Sequence, residues 1–400
     1  GFITIRGGVL QTAKYGVWSF HHDDELKYRG GPPCFWEIYK NDPETGSILQ
    51  RLTDKLDGGI ILKKGILKTK MYSYAANIDQ AYFETAKWPL WVCQDIIADE
   101  EKFQHLQASA SNAKIYRLPT NLQVIFFIFK LGLNFLKAAW SKIFMQKWAV
   151  GIIAQPIQKV AKLKEIKEAV LLPFKNKKTF NADCFGLTYN NKKYIFFEEL
   201  DYSQKGVGEI KVSILNDNLQ EEQRLPVEGL PDCHLSYPFL HIEKGIVYMI
   251  PETAAIKEIA LYEAVTFPTV WKKHTVLLTG ESFVDATIHV GEDNKYWLFY
   301  GINSIIFDGD LHLHVAFADD LLGPFTPHPL NPVKISARSA RPAGNLFFEE
   351  KNLYRPSQNF TKQYGGSLVI NKIVQLTTTD FREEEINEIQ PNFKHFKHGL

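Results

Sequence analysis

The sequence predicts a mainly β chain: a five-bladed β-propeller over residues 147–400, preceded by a partial α/β module over 1–80 and a helical connector over 81–146. Three observations lead there. One sequence pattern recurs four times between residues 183 and 358, with a period of roughly 50 residues that suits a four-stranded blade. Short apolar runs broken by turn residues take over from Trp148 onward, whereas helical periodicity dominates the segment before it. Glycine loops between strand-like and helix-like runs fill the first eighty residues.

The N-terminal module reads as a strand over Phe2–Ile5, a glycine loop at Gly7 and Gly8, and a second strand ending near Trp18. The loop HHDDELKYRGGPP follows, then a short helix in CFWEIYKND and a strand in SILQRL. In the connector, DIIADEEKFQHLQ has a helical pattern, and YRLPTN separates it from the apolar stretch Leu122–Met145. That stretch is long enough to suggest a membrane span, but Lys130, Asn134, Lys137 and Lys142 interrupt it. A central lysine costs roughly 3 kcal/mol on insertion. An amphipathic helix packed on a domain is therefore expected, with no transmembrane segment; attachment to a membrane surface is the lesser alternative.

The propeller rests on four copies: DCFGLTYNNKKYIFFEE from Asp183, YPFLHIEKGIVYMIPET from Tyr237, DATIHVGEDNKYWLFYG from Asp285 and RPAGNLFFEEKNLYRPSQN from Arg341. Their starts lie 54, 48 and 56 residues apart, and Tyr194, Tyr248 and Tyr296 each stand eleven positions after a start. Innermost strands of a propeller line one axis, so Asp183, Asp285 and Arg341 are expected to meet there. Fifteen positions after the first three starts stand Glu198, Glu252 and Tyr300, with Gln358 at the matching place of the longer fourth copy. They predict a second polar tier and hence a pocket. The fifth blade is expected to combine GGSLVINKIVQLT with strand material near WAVGII.

Composition narrows the functions. Lys+Arg 46 against Asp+Glu 45 leaves a net charge of +1, which excludes a global pull towards nucleic acid. The 17 Tyr and 8 Trp suit packed strands and flat sugar-binding surfaces alike. Four dispersed cysteines, Cys34, Cys93, Cys184 and Cys233, contain no CxxC pair, so neither a zinc site nor a disulfide framework is expected. A reducing, cytoplasmic location follows as an expectation. His312 and His314 alternate on one strand, but without a third ligand they read as packed strand residues and no metal is expected. The basic stretch Lys159–Lys178, diluted by Glu165 and Glu168, reads as a solvated face.

The run Ser19–Leu62 resembles the second half of the catalytic domain of folate-dependent formyltransferases, through His21, Arg29-Gly30, Asp42-Glu44-Thr45-Gly46 and Asp57 in LDGG. The resemblance covers about 45 residues. It implies that His21 polarises a formyl carbonyl and shuttles a proton, that Asp57 orients it, and that 10-formyltetrahydrofolate is the donor. Ser19 stands where the family has an asparagine, and only GFITIRGGVL precedes the region where the family has a nucleotide-fold half. A fragment of a longer protein, or a remnant, is the expectation.

ADCFG, KYIFFEE, LHVAFADDLLGPF, HPLNPV and SARSARPAG resemble five-bladed propellers of the family 43 glycoside hydrolase type, and more closely the opening domain of plant glucosamine inositolphosphorylceramide transferases. This resemblance spans Trp148 to about Glu384. It implies Asp183 as base, Asp285 as the residue that tunes acidity and Glu252 as acid. Glu198, Arg341, Gln358 and Tyr300 are then substrate-binding candidates. The expected function is that of a carbohydrate-active protein, in which a formyltransferase-like module that formylates an amino-sugar is joined to a glycoside-hydrolase-like propeller that binds or processes the glycan. The alternative is a glycan-binding propeller without catalysis, carrying a formyltransferase remnant.

Overall fold

The computed structural model describes residues 5–54, 58–141, 147–203, 206–303 and 311–393. Most of the strand expected over Phe2–Ile5, and the candidate Asp57, lie outside the described residues. The chain forms two compact units, Gly1–Met145 with Ile335–Arg338, and Gln146–Lys334 with Ser339–Leu400.

In the first unit, strands β1 (Trp18–His21), β2 (Glu44–Arg51) and β3 (Ile60–Lys68) form an antiparallel sheet in that order. The strand expected to end near Trp18 instead begins there. Helix α1 (Phe35–Lys40) ends in a left-handed Asn41, which tolerates positive φ and lets the chain turn into β2. Helices α2 (Tyr74–Thr85) and α3 (Trp88–Ala98) follow, so helices of the expected connector belong to the same unit as the sheet. Buried Asn77 holds them to it: its side chain bonds Thr45 Oγ1 at 3.1 Å and accepts from the Lys70 N–H at 2.9 Å.

Helix α4 (Asn121–Ser141) is present as expected, but its orientation is reversed. Phe127 is its buried residue, stacked on Phe35 at 4.2 Å. Lys130 donates to the Tyr39 carbonyl at 2.5 Å and Asn134 to that of Met71 at 3.2 Å. Lys130 and Asn134 on α4 therefore face the protein, because backbone carbonyls there accept from them, while Lys137 is exposed. The apolar side faces outward.

Among the described residues, four larger sheets build the second unit, beside one two-stranded sheet. The first is β4 (Thr179–Tyr189), β5 (Lys192–Asp201), β6 (Gly208–Leu215) and β7 (Glu221–Pro226). The second is β8 (Ser236–Glu243), β9 (Ile246–Glu252), β10 (Glu258–Thr266) and β11 (Val270–Thr279). The third is β12 (Phe283–Val290), β13 (Tyr296–Ile302), β14 (His312–Ala318) and β15 (Thr326–Pro327). The fourth is β16 (Phe347–Glu349), β17 (Asn352–Asn359), β18 (Ser367–Leu376) and β19 (Phe381–Pro391), completed by Glu165–Ile166 parallel to β19. Fully buried Phe196, Met249, Leu261 and Leu298, from three of these sheets, share one apolar cluster. Each such side chain stabilises by about 2 kcal/mol through burial.

The blade expected from GGSLVINKIVQLT does not form separately. That segment is β18, hydrogen-bonded between β17 and β19, so it belongs to the sheet of the fourth copy. The strand near WAVGII, Gly151–Ile152, pairs only with Val170–Leu171 among the described residues. The physical reason is local: β18 follows β17 closely enough to fold back on it, and antiparallel neighbours are the default for short connections.

Candidate functional site

Repetition places the site. The first three copies begin at β-bulges near the start of β4, β8 and β12, where the pairing with the next strand slips by one residue. At each slip a non-glycine residue takes positive φ: Asp183 at 47°, Tyr237 at 43° and Asp285 at 52°. A bulge re-aims one side chain, and left-handed backbone at bulky residues is strain that surrounding structure must hold.

Asp183, Tyr237, Asp285 and Arg341 all line one cavity of about 520 Å³ within the second unit, joined by Glu198, His234, Gln358 and Tyr364. Apolar side chains such as Val150, Phe180 and Leu200 supply other parts of its wall. The nearly buried Arg341 pairs through Nε with the Asp285 carboxylate, and its guanidinium lies 4.9 Å from the Tyr364 ring centre. The Asp285 N–H donates to Glu252 Oε2 at 3.2 Å, which fixes Glu252 beside the pair. Tyr237 Oη accepts from the Gly344 N–H at 2.8 Å and lies 2.9 Å from Thr287 Oγ1. His234 Nδ1 accepts from the Gly208 N–H at 2.9 Å, so in the neutral ring the Nε2–H faces Glu198 Oε1 at 3.4 Å.

Gathering carboxyls around one guanidinium has an electrostatic result. Burial, then the nearby Asp183 and Glu252, raise Glu198 to about 9. Burial and the Asp285 charge raise Glu252 to about 8 against the opposing pull of Arg341. Burial also raises Asp183, opposed by Arg341 and His234. Glu198 and Glu252 are thus protonated at neutral pH and can each donate a proton. Gln358 adds a buried side-chain oxygen with no hydrogen-bond partner among the described residues.

The site residues expected from sequence divide unevenly. Asp183, Glu198, Asp285, Arg341 and Gln358 line the cavity, and Glu252 adjoins it through Asp285. Tyr300 is not in the wall; it is buried between Phe283 and His314, with ring centroids 5.4 Å from each. The hairpin explains why. The first two copies turn through Asn190-Asn191 and Lys244-Gly245, all at positive φ, in two-residue loops. The third joins Val290 to Tyr296 through residues 291–295, and this puts Gly301, not Tyr300, opposite the bulge where Glu198 and Glu252 stand. A one-residue offset turns a strand residue to the other face.

Tyr237, His234 and Tyr364 were missed. Tyr237 was readable, since it opens the second copy as Asp183 and Asp285 open theirs. His234 and Tyr364 lie outside the repeat, and no spacing marks them. Among the described residues no group of three or more His, Cys, Asp or Glu could hold a metal ion, and the four cysteines are free.

In the first unit, His21 Nε2 lies 3.1 Å from the Tyr28 carbonyl and 4.0 Å from Asp23, while Ser19 Oγ donates to the Phe20 carbonyl at 3.3 Å. Both polar tips are engaged by the unit's own groups.

Residues 146–397 match the family model described as glucosamine inositolphosphorylceramide transferase 1, N-terminal. The chain belongs to this family. Glucosamine inositolphosphorylceramide transferase 1 of Oryza sativa subsp. indica is 32% identical over 216 residues, covering 52% of this chain and 28% of that protein. Its counterpart from Arabidopsis thaliana is 33% identical over 213 residues, covering 52% and 27%. The chain therefore spans less than a third of the length of these relatives. The methionyl-tRNA formyltransferase of Prochlorococcus marinus is 36% identical over 72 residues, 18% of this chain and 21% of that one. Among solved structures, a family 117 glycoside hydrolase of Zobellia galactanivorans aligns with a TM-score of 0.42 at 15% identity, over 53% of this chain and 71% of its own. A thermostable family-43 glycoside hydrolase aligns at 0.41 and 14%, over 52% and 75%. The family match covers the four-sheet unit and every residue of the cavity.

Proposed function

We propose that the second unit is carbohydrate-active: it takes a glycan into the cavity and cleaves or transfers a glycosidic bond there. The observation that carries this reading is the convergence of three carboxyls, one arginine and an unsatisfied Gln358 oxygen at one cavity, with Glu252 adjoining. Glycosidic chemistry needs a carboxylic acid to protonate the leaving oxygen and a second carboxyl to act on water or acceptor. Glu198, in the wall and raised to about 9, is the acid of this reading. Asp183 is the second carboxyl. Glu252, expected from sequence as the acid, is held by the Asp285 backbone and acts on the charge of the cluster. The Arg341–Asp285 ion pair lies beside it.

Rates on a panel of aryl glycosides test this. Asp183→Asn and Glu198→Gln should each lower turnover roughly 10²- to 10⁴-fold, and equal rates from wild type and both variants would overturn the assignment. A second reading, glycan binding without turnover, is favoured by the commitment of Asp285 and Glu252 to bonds within the protein. Titration of immobilised glycans separates the two: binding lost in Arg341→Met, with no product from wild type, selects the second. Formyl transfer rests on the short formyltransferase match alone, and consumption of 10-formyltetrahydrofolate by the full-length protein would be needed to revive it.

A further inference from the structure

We propose that helix α4 is a membrane-surface element, lying in the plane of an anionic bilayer with its outward face in the lipid and its Lys130 and Asn134 held by the first unit. Large apolar side chains cover that outward face: Leu122 is 62% exposed, Ile125 63%, Ile128 62%, Phe129 63%, Phe135 59% and Leu136 64%. At about 100° per residue they fall within an arc of about 140°, opposite Phe127, Lys130 and Asn134.

A helix packed on a soluble domain has the opposite arrangement, with lysine in water and phenylalanine inside. Against lipid the present order is the favourable one, because a polar group on the helix must find its partner within the protein or reach the headgroups. Lys130 and Asn134 do so, at the carbonyls of Tyr39 and Met71.

The helix is long and apolar enough to cross a membrane. Its packing argues for lying flat instead, since Phe127, Lys130 and Asn134 occupy the middle of the helix and all contact the folded unit. Charge names the kind of surface. From Lys102 to Lys164 the chain has ten lysines and arginines and no aspartate or glutamate, although its overall charge is +1. Lys114 and Arg117 are exposed just before the helix, and Lys137 on it. A basic, apolar segment of this kind partitions to anionic lipid through burial and electrostatic attraction together.

Co-sedimentation of the full-length protein with phosphatidylcholine vesicles, with and without phosphatidylserine, tests the proposal. Wild type should bind the phosphatidylserine vesicles, more weakly as salt rises. The double variant Ile125→Glu/Phe129→Glu should lose binding roughly tenfold or more while keeping the wild-type circular dichroism and melting temperature, because both positions are exposed. Three results would overturn it: no binding of wild type to either vesicle, undiminished binding of the folded variant, or no gain from phosphatidylserine. A wild-type dimer by analytical ultracentrifugation that the variant abolishes would assign the face to a second copy of the chain instead.

Discussion

Arg341 and Asp285 are each nearly buried, and each neutralises the other. Removing one partner of such a pair leaves an uncompensated charge and costs about 3–5 kcal/mol. Urea denaturation of Arg341→Met should show a loss of that size, and adding Asp285→Leu should return much of it. The protonation of Glu198 has a kinetic consequence. If Glu198 is the proton donor, kcat/KM falls as pH rises through about 9, whereas a limb near 8 would point to Glu252. Rate measurements from pH 6 to about 10 distinguish them. Asp183, Glu198 and Arg341 were legible as neighbours around one cavity because the repeat marks equivalent positions. His234 was not, because the interaction that defines it joins residues with no common pattern.

The bulges at the starts of β4, β8 and β12 convert a sequence repeat into a site, since they turn Asp183, Tyr237 and Asp285 out of the regular alternation. The neighbouring strand is equally constrained. Gly208, first residue of β6, has no room for a side chain: a Cβ there would meet the Leu235 carbonyl oxygen at 2.8 Å and collide with the Glu198 carboxyl. Gly208→Ala should therefore displace Glu198, lowering turnover in the aryl glycoside assay at least as far as Glu198→Gln does and lowering the melting temperature by several degrees, as a loss of about 1–3 kcal/mol would. Element type was readable from apolar alternation and turn residues, as in β4–β5 and β8–β9 with their two-residue turns. The longer turn before β13 was visible too, but its effect on register, and hence on Tyr300, depends on pairing across the sheet.

At the scale of the second unit, buried acids and histidines shape the pH dependence in opposite ways. His289 is lowered to about 4 and His314 to about 3, both by burial. Below the ordinary histidine value of about 6.5 the unfolded chain takes up protons that the folded one refuses, so stability is lost as pH falls from there towards 4. Glu198 and Glu252 act the other way: the folded state keeps protons that the unfolded chain has released, so stability declines as pH rises from the ordinary glutamate value towards 8 and 9. The two effects oppose each other between those reference values. Only the glutamate effect remains above about 6.5, which predicts a melting temperature that falls between neutral pH and 9, and falls less in Glu198→Gln. Scanning calorimetry across that range measures it.

From the sequence alone came the mainly β character of the second half, the four repeats, a helix within Leu122–Met145 and most of the acidic residues of the cavity, because these are written in spacing and alternation along the chain. The tertiary structure decided the rest: that β18 completes the fourth sheet, that Tyr300 is core, that His234 and Tyr364 join the wall, and that α4 turns Lys130 and Asn134 inward. Each of these depends on which surface an element meets. A linear pattern specifies two faces of a strand or helix, but only the packed chain determines which of them is buried.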